Sequence, residues 1–218
     1  MITSTTPDTA TLRRQMVEVG RRMWTKGMVA ANDGNLSARL PDGSVLCTPT
    51  GTSKGALTED ALSVVALDGT VLDRGTGRGP SSEIRMHLRV LQADPGVHAV
   101  VHAHPLHATA FAIRGEALTL QMMPETVVAL PSVPLAPYAT PSTDEVPDSV
   151  EPFVAAHRAC LLEHHGALSW GSDLEDAFMT MERVEYQAQM TMTVRLLGGP
   201  RELSAERVGA LRRQFGLA

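Results

Sequence analysis

Four of the eight histidines lie between positions 98 and 107, and two of them, His102 and His104, are separated by a single residue. Residues two apart on a β-strand project to the same side, and neutral imidazoles bind zinc at about 2.0–2.1 Å. Pro105 ends the predicted strand directly after the pair, so both side chains lie at an edge where a site can open. The pair indicates a metal site; the alternative is two histidines that are exposed or satisfied by their surroundings.

A catalytic zinc ion has three protein ligands and one open position. The segment 163–166, with His164 and His165, can supply the third ligand, and we expect Gly166 to let the backbone turn sharply after the second imidazole. His164 can instead orient other groups or pack. We interpret the remaining histidines as non-ligands: His87, His98, His107 and His157.

Three short segments can cradle an anion without a net positive charge. Ser81 and Ser82 begin a predicted helix, where free backbone N–H groups bind phosphate. The turn at 48–51 and the pair Gly34-Asn35 offer amides, hydroxyls and a carboxamide. Plain structural alternatives exist for each: an N-cap, a turn and a left-handed loop residue.

Glu83 stands in the first turn of the same predicted helix. Its carboxylate can complement the positive end of the helix dipole. Placed beside a metal ion, it can also act as a weak fourth ligand that the substrate displaces and that then moves protons. Only the combination with the histidines favours this second role.

Apolar periodicity predicts the helices that position these groups. A first helix carries apolar residues from 12 to 24 and ends near Gly27, and a second, capped by Ser81 or Ser82, runs to the break at 94–96. A long helix is predicted from about 173 to 197, and a short one after Ser204.

Strands are predicted between these helices. Segments 36–40 and 44–48 flank a Pro-Asp-Gly turn, and 63–67 and 70–72 flank Asp-Gly, which are hairpin signals. Further strands are predicted at 97–102, 161–164 and 167–170. We therefore predict a single α/β domain over 1–218, with a mainly antiparallel or mixed central sheet flanked by helices and a loose tail at 1–10.

Composition restricts the class of protein. Apolar residues make up 43% of the chain and charged residues 20%, as in globular domains, and no apolar run approaches the roughly 18–20 residues of a membrane span. The polar N-terminus does not resemble a secretory signal, and Cys47 and Cys160 suggest free thiols in a reducing cytosol. We expect a cytoplasmic protein, and the formal charge of −5 argues against nucleic-acid or membrane partners.

Six separated segments occur in order: GNLSAR at 34–39, TPTG at 48–51, PSSE at 80–83 with MH at 86–87, VHAH at 101–104, PYAT at 137–140 and HHG at 164–166. Together they resemble the class II aldolase/adducin family, most closely its L-fuculose-1-phosphate aldolase branch. The resemblance spans about residues 10 to 197. It implies a homotetramer with active sites at subunit interfaces.

The resemblance also implies roles for individual residues. Zinc, or manganese, cobalt or nickel in its place, would be held by His102, His104 and His165, with Glu83 as the acid/base. The phosphate of a sugar phosphate would be held by five residues: Asn35, Thr50, Gly51, Ser81 and Ser82.

Two departures from the branch concern tyrosines. Met123 stands where the branch has a catalytic tyrosine, and the C-terminal residues 213–218 contain none. A pocket lined by Met122 and Met123 would suit an apolar substrate terminus, such as the methyl group of a deoxysugar or a thioether.

The implied reaction is the cleavage of L-fuculose 1-phosphate or a 5-deoxypentulose 1-phosphate to dihydroxyacetone phosphate and an aldehyde, by way of an enediolate stabilised by the metal. Three alternatives remain. One is an aldolase or dehydratase for 5-methylthioribulose 1-phosphate, another is a decarboxylase for phosphorylated sugar acids, and the last is a non-catalytic, adducin-like interaction module.

Overall fold

The computed structural model describes residues 7–217, which form seven α-helices and eight strands. The helices are α1 (Thr9–Thr25), α2 (Ile84–Ala93), α3 (Leu106–Arg114), α4 (Pro124–Ala129), α5 (Glu145–Val154), α6 (Leu174–Leu196) and α7 (Ala205–Gln214). The strands are β1 (Asn35–Arg39), β2 (Val45–Cys47), β3 (Ser63–Val65), β4 (Val71–Asp73), β5 (Ala99–Ala103), β6 (Leu135–Ala136), β7 (Ala159–Leu162) and β8 (Gly166–Gly171).

All eight strands join in one sheet, in the order β4-β3-β2-β1-β5-β8-β7-β6. Every neighbouring pair is antiparallel except β6 and β7, which run parallel. Tight turns join β1 to β2 and β3 to β4, as the hairpin signals predict, and tight turns allow only antiparallel neighbours. The prediction of one α/β domain with a mainly antiparallel, mixed sheet is confirmed.

Helices cover both faces of the sheet because side chains alternate along each strand. Leu36 and Ala38 of β1 face one apolar core, which α1, α3 and α6 complete. Val45 and Cys47 of β2 face the second core, which α2 and α5 complete. Asn35 and Ser37 alternate with Leu36 and Ala38 on β1, and they therefore face the side of α2.

Local signals explain where several helices begin. Asp173 and Ser204 cap α6 and α7 by accepting hydrogen bonds from backbone N–H groups of the first turns. The first helix already begins at Thr9, because the Asp8 carboxylate accepts from the Thr11 N–H group at 2.8 Å. The predicted tail is therefore shorter than 1–10, and its residues 1–6 lie outside the described part of the chain.

The start of α2 also differs from the prediction. Glu83, not Ser81 or Ser82, occupies the N-cap position, and its side chain makes no capping bond. The Ser81 hydroxyl accepts from the Glu83 N–H group at 3.3 Å, and the Ser81 carbonyl accepts from the Ile84 N–H group at 3.1 Å. The serines thus form a turn before the helix, which leaves the Glu83 carboxylate available for other contacts.

Four further elements have weak sequence signals. The small residues of α3 give a poor apolar stripe, α4 and β6 are short, and α5 contains Pro147 and Pro152.

Among the described residues, no helix combines the length and apolar character that crossing a bilayer requires.

Candidate metal centre and active site

Strand β5 delivers two imidazoles to one point at the end of the sheet. His102 lies in the strand with no exposed surface, and its Cα is paired with that of Asn35 on β1. His104 follows directly after the strand and is partly exposed. Their ring centroids are 4.9 Å apart. The spacing of two therefore places both rings together, as predicted.

The third imidazole comes from the turn between β7 and β8. His164 adopts the left-handed conformation with φ +57°, which turns the chain and directs His165 towards the pair. The His165 ring centroid lies 4.7 Å from that of His102 and 5.0 Å from that of His104. One nitrogen from each of the three rings lies within 4.8 Å of the others.

Gly166 has a different role from the one expected, because the sharp turn is at His164. A Cβ atom on Gly166 would lie 2.6 Å from the Ala103 carbonyl oxygen and 2.6 Å from Cδ2 of His104. Glycine is therefore needed for close approach: strand β8 can pair with β5 beside the His104 ring only without a side chain at this position.

Hydrogen bonding determines the tautomer of the buried imidazole. The His102 Nδ1 atom lies 2.9 Å from the Ala167 carbonyl oxygen, which only accepts, so Nδ1 carries the proton. The unprotonated Nε2 atom of His102 then points at Nε2 of His104, 3.1 Å away. Two ligand nitrogens of a tetrahedral zinc ion are separated by about 3.3 Å. This donor set fits a divalent metal ion.

Burial favours the metal-binding form of two of these imidazoles. It lowers the pKa of His102 well below its usual value and also lowers the pKa of His165, where the Glu83 carboxylate acts in the opposite direction. Desolvation disfavours the charged imidazolium. Neutral rings with free lone pairs therefore persist at pH values where an exposed histidine would be half protonated.

The Glu83 carboxylate lies beside two of the three rings. Its Oε1 atom is 3.3 Å from Nε2 of His165, and its Oε2 atom is 3.5 Å from Nε2 of His102. Oε2 also accepts a hydrogen bond of 2.9 Å from the Asn35 side-chain amide. The sequence left the role of Glu83 open, and the structure brings this carboxylate to the imidazoles.

The predicted anion segments meet beside Glu83. The Thr50 N–H group donates to the Gly79 carbonyl at 2.9 Å, and the Ser81 N–H group donates to the Thr48 carbonyl at 3.1 Å. These bonds hold the turn at 48–51 against the turn before α2. Thr50 and Ser81 are partly exposed, while Gly51 and Ser82 are exposed. The hydroxyls and amides of both turns thus border one surface.

Three charged residues near these groups carry no signal in the sequence pattern. Lys54 is 1% exposed, and its ammonium group donates to the Asn32 and Thr52 carbonyls at 3.1 and 2.6 Å. Burial lowers the pKa of Lys54 to about 8, although Asp33 and Glu83 oppose this effect. A guanidinium nitrogen of Arg78 would lie 3.3 Å from a Cβ on Gly51. Asp33 lies 3.6 Å from Nδ1 of His104.

The remaining histidines lie outside the three-ring cluster. His107 pairs with Glu185 at 2.6 Å, and His157 lies 3.3 Å from the Ser132 hydroxyl. His87 is fully buried behind Asn35, where burial lowers its pKa to about 3. In the sequence, His87 is distinguished from the other histidines only by being a polar residue on the buried face of α2.

Met123 lines a cavity of about 730 Å³ between α4 and α6. Within the described residues, the lining includes neither Met122, nor Glu83, nor the three clustered imidazoles. The cavity wall reaches the site through Met28, whose carbonyl accepts from the His104 N–H group at 3.0 Å. The structure thus assigns Met123, and not Met122, to the wall of this cavity. It places Met123 with other apolar and aromatic residues, namely Met28, Leu130, Met179 and Tyr186.

Gly166→Ala is expected to loosen the three-ring cluster. The new methyl group meets a backbone carbonyl that cannot move without disturbing the β5–β8 pairing. We expect divalent-metal affinity to fall about 10- to 100-fold, the range typical of disturbed support around a metal site. Isothermal titration with zinc measures the change. Gly209→Ala on α7 is the matched control, since its Cβ would meet only the end of the Arg213 side chain, at 3.4 Å; equal losses in both variants would contradict this explanation.

The metal-free protein should lose stability as the pH falls below about 6.5. The folded-state pKa of His87, about 3, lies below the unfolded value, so this histidine contributes stability above pH 6.5 that is lost towards pH 3. Urea unfolding at several pH values measures the slope. His87→Gln should flatten this slope; identical slopes for wild type and His87→Gln would refute the assignment.

Comparisons with known proteins agree with this geometry. The model of the class II aldolase and adducin N-terminal domain matches residues 14–192. Over 183 residues the chain is 33% identical to the 3-oxo-tetronate 4-phosphate decarboxylase of Escherichia coli K12, covering 82% of this chain and 85% of that protein. It is 34% identical over 205 residues to the L-fuculose phosphate aldolase of the same strain, covering 94% of both chains.

A solved structure shares the fold. The crystal structure of YgbL from Klebsiella pneumoniae superposes with a TM-score of 0.86 at 32% sequence identity, covering 95% of this chain and 100% of that one. The residues 14–192 matched by the family model span Glu83 and the three clustered imidazoles. The chain therefore belongs to the class II aldolase and adducin family.

Proposed function

We propose that the protein is a metal-dependent aldolase that cleaves a ketose 1-phosphate to dihydroxyacetone phosphate and an aldehyde. The observation that carries this proposal is the Glu83 carboxylate, within 3.5 Å of imidazole nitrogens of both His102 and His165. The imidazoles that can bind a metal and the carboxylate that can carry a proton thus lie next to each other. The two anion-binding turns lie beside them, where a phosphate would be anchored.

The phosphate is held by the hydroxyls of Thr50, Ser81 and Ser82 and by the backbone amides of Gly51 and Ser82, because the Thr50 and Ser81 amides already donate to carbonyls of the facing turn. The second N–H of Asn35 is a further donor. Local positive charge supports this role: Arg78 lies over Gly51, and Lys54 is buried behind the turn. Both compensate for a chain whose formal charge is −5. Anchoring the phosphate fixes the position of the reacting carbons.

His102, His104 and His165 would hold a divalent ion, with zinc proposed, which would supply Lewis acidity towards negative charge that develops on the substrate oxygens. In the cleavage direction the C4 hydroxyl loses its proton, the C3–C4 bond breaks, and its electron pair moves towards the C2 carbonyl. Glu83 delivers a proton to C3, which completes dihydroxyacetone phosphate. The proton released from C4 balances the one gained at C3.

Decarboxylation of a 3-oxo sugar acid 4-phosphate is the second candidate. Loss of CO₂ from such an acid leaves the same enediolate, and the departing CO₂ does not have to exchange a proton with the protein. Met123, which offers no hydroxyl, favours this reaction because an aldolase needs a group that serves the aldehyde oxygen. The similarity to a curated decarboxylase gives further support.

Product analysis distinguishes the candidates. Dihydroxyacetone phosphate is released in both reactions, so the second product decides: an aldehyde from the ketose phosphates, or CO₂ from 3-oxo-tetronate 4-phosphate. The ketoses to test are L-fuculose, 5-deoxyribulose and 5-methylthioribulose 1-phosphates, each with and without a chelator.

Chelator-sensitive release of an aldehyde is the expected result. CO₂ release alone would replace the aldolase with the decarboxylase. Consumption of 5-methylthioribulose 1-phosphate without a three-carbon product would indicate the dehydratase. A folded chain that binds no metal and turns over none of these compounds would indicate an adducin-like module.

Glu83→Gln should retain metal and lose most turnover. The amide keeps the shape of the side chain but cannot carry the proton, and general acid–base catalysis typically contributes 10²–10⁴-fold. Metal content by mass spectrometry and kcat are the two measurements. Glu116→Gln is the control, because its partly exposed carboxylate pairs with Arg195 and belongs neither to the anion-binding turns nor to the lining of the Met123 cavity. Unchanged kcat in Glu83→Gln would remove Glu83 from the mechanism.

We also propose a homotetramer with active sites at its interfaces, located in the cytoplasm. Exposed apolar side chains support self-association: Leu196 and Leu197 at the end of α6 are each 81% exposed, and Phe215 after α7 is 59% exposed. Surfaces of this kind are usually covered in an assembly.

A further inference from the structure

A chain of buried polar side chains ends at Glu83. The Ser37 hydroxyl lies 2.8 Å from Nδ1 of His87, and Nε2 of His87 contacts the Asn35 side-chain oxygen. The Asn35 amide nitrogen donates to Oε2 of Glu83 at 2.9 Å. Ser37, His87 and Asn35 are 0%, 1% and 4% exposed. Water therefore has little access to these groups, and each must find its partner within the chain.

The donor and the acceptor of each hydrogen bond in this row of side chains follow from the Glu83 carboxylate at its end. A carboxylate only accepts, so the NH₂ group of Asn35 faces Glu83 and the carbonyl oxygen faces His87. That carbonyl also only accepts, so Nε2 of His87 must carry the ring proton. Because burial keeps His87 neutral, Nδ1 is left as an acceptor, and the Ser37 hydroxyl donates to it.

We propose that His87 is a positioning residue that holds Glu83 in its catalytic orientation through Asn35. The Nε2–H group of His87 prevents the Asn35 carboxamide from rotating by half a turn, which would present its carbonyl oxygen to the Glu83 carboxylate. Asn35 thereby pins Oε2 and leaves Oε1 free to exchange protons with the substrate. Asn35 thus acts on Glu83 as well as on the phosphate.

Backbone geometry explains why these residues meet. Asn35 and Ser37 are two apart on β1, so both side chains project towards α2. His87 is one helical turn after Glu83 on α2, and therefore lies below it on the same face. Strand β1 and helix α2 thus supply alternate side chains of the row, and the packing of this helix on the strand fixes the distances between those side chains.

The proposal rests on the proposed acid/base role of Glu83, so its first test needs no substrate. Long-range ¹H–¹⁵N NMR of the metal-free protein reports the tautomer of His87. We expect the proton on Nε2, with a hydrogen-bonded Asn35 side-chain amide. A proton on Nδ1 would reverse every donor in the chain and overturn the proposal, whatever reaction the protein catalyses.

The second test compares two substitutions at His87. His87→Leu removes the donor and leaves the Asn35 oxygen without a partner, and His87→Gln retains an N–H group near the position of Nε2. For the substrate that the wild-type protein turns over, we expect His87→Leu to lower kcat about 10- to 100-fold, the scale of a catalytic group misplaced by about 1 Å. KM should change less than kcat, and His87→Gln should recover most of the activity.

Controls separate positioning from loss of the fold. Thr180→Val removes a buried hydroxyl that bonds the Asp176 carbonyl on α6, a helix of the core on the other face of the sheet from α2. It should leave kcat unchanged. If His87→Leu is folded and keeps wild-type kcat, or if His87→Gln is impaired as strongly as His87→Leu, the donor has no positioning role. If Glu83→Gln keeps full activity while the tautomer is as expected, the proposed function fails and the hydrogen-bond directions stand.

Discussion

The site depends on the antiparallel pairing of β5 with both of its neighbours. On one side the register places Asn35 of β1 opposite His102, and on the other it places Ala167 of β8 opposite Ala103. The first pairing brings the Asn35 amide to the carboxylate beside the imidazoles. The second lets the Ala167 carbonyl set the tautomer of His102 and brings the turn that carries His165 to the same edge. A shift of one residue in either pairing would turn these side chains to the opposite face of the sheet.

Electrostatics within the site divide into a neutral centre and charged surroundings. Burial lowers the pKa of His102 and of His165, so the lone pairs of these two rings are available to a cation, and the Glu83 carboxylate lies beside both. Positive charge is placed further out, at buried Lys54 and at Arg78 near Gly51. This arrangement explains how a chain with a formal charge of −5 can serve an anionic substrate: the attraction is local, where a phosphate would bind.

Much of the fold and of the candidate site could be predicted from the sequence, because the strongest sequence patterns involve residues that are close together in the chain. The spacing of His102 and His104 required only that strand side chains alternate, and both hairpins carry turn residues. The role of Gly166 was predicted incorrectly, because the need for glycine arises from the approach of Ala103 and His104, which no local pattern reveals. His87 and Lys54 were missed for a similar reason: their partners are 50 and 22 residues away in the chain.

X-ray absorption spectroscopy of the metal-loaded protein tests the inference that three imidazoles hold one catalytic ion. We expect one zinc per chain, with three imidazole nitrogens at about 2.0–2.1 Å and oxygen in the remaining position. The oxygen comes from Glu83 or water. Replacing any one of the three histidines should reduce the nitrogen count and the metal content together. Stoichiometric zinc with fewer than three imidazole ligands, or a spectrum unchanged when His165 is replaced, would contradict it.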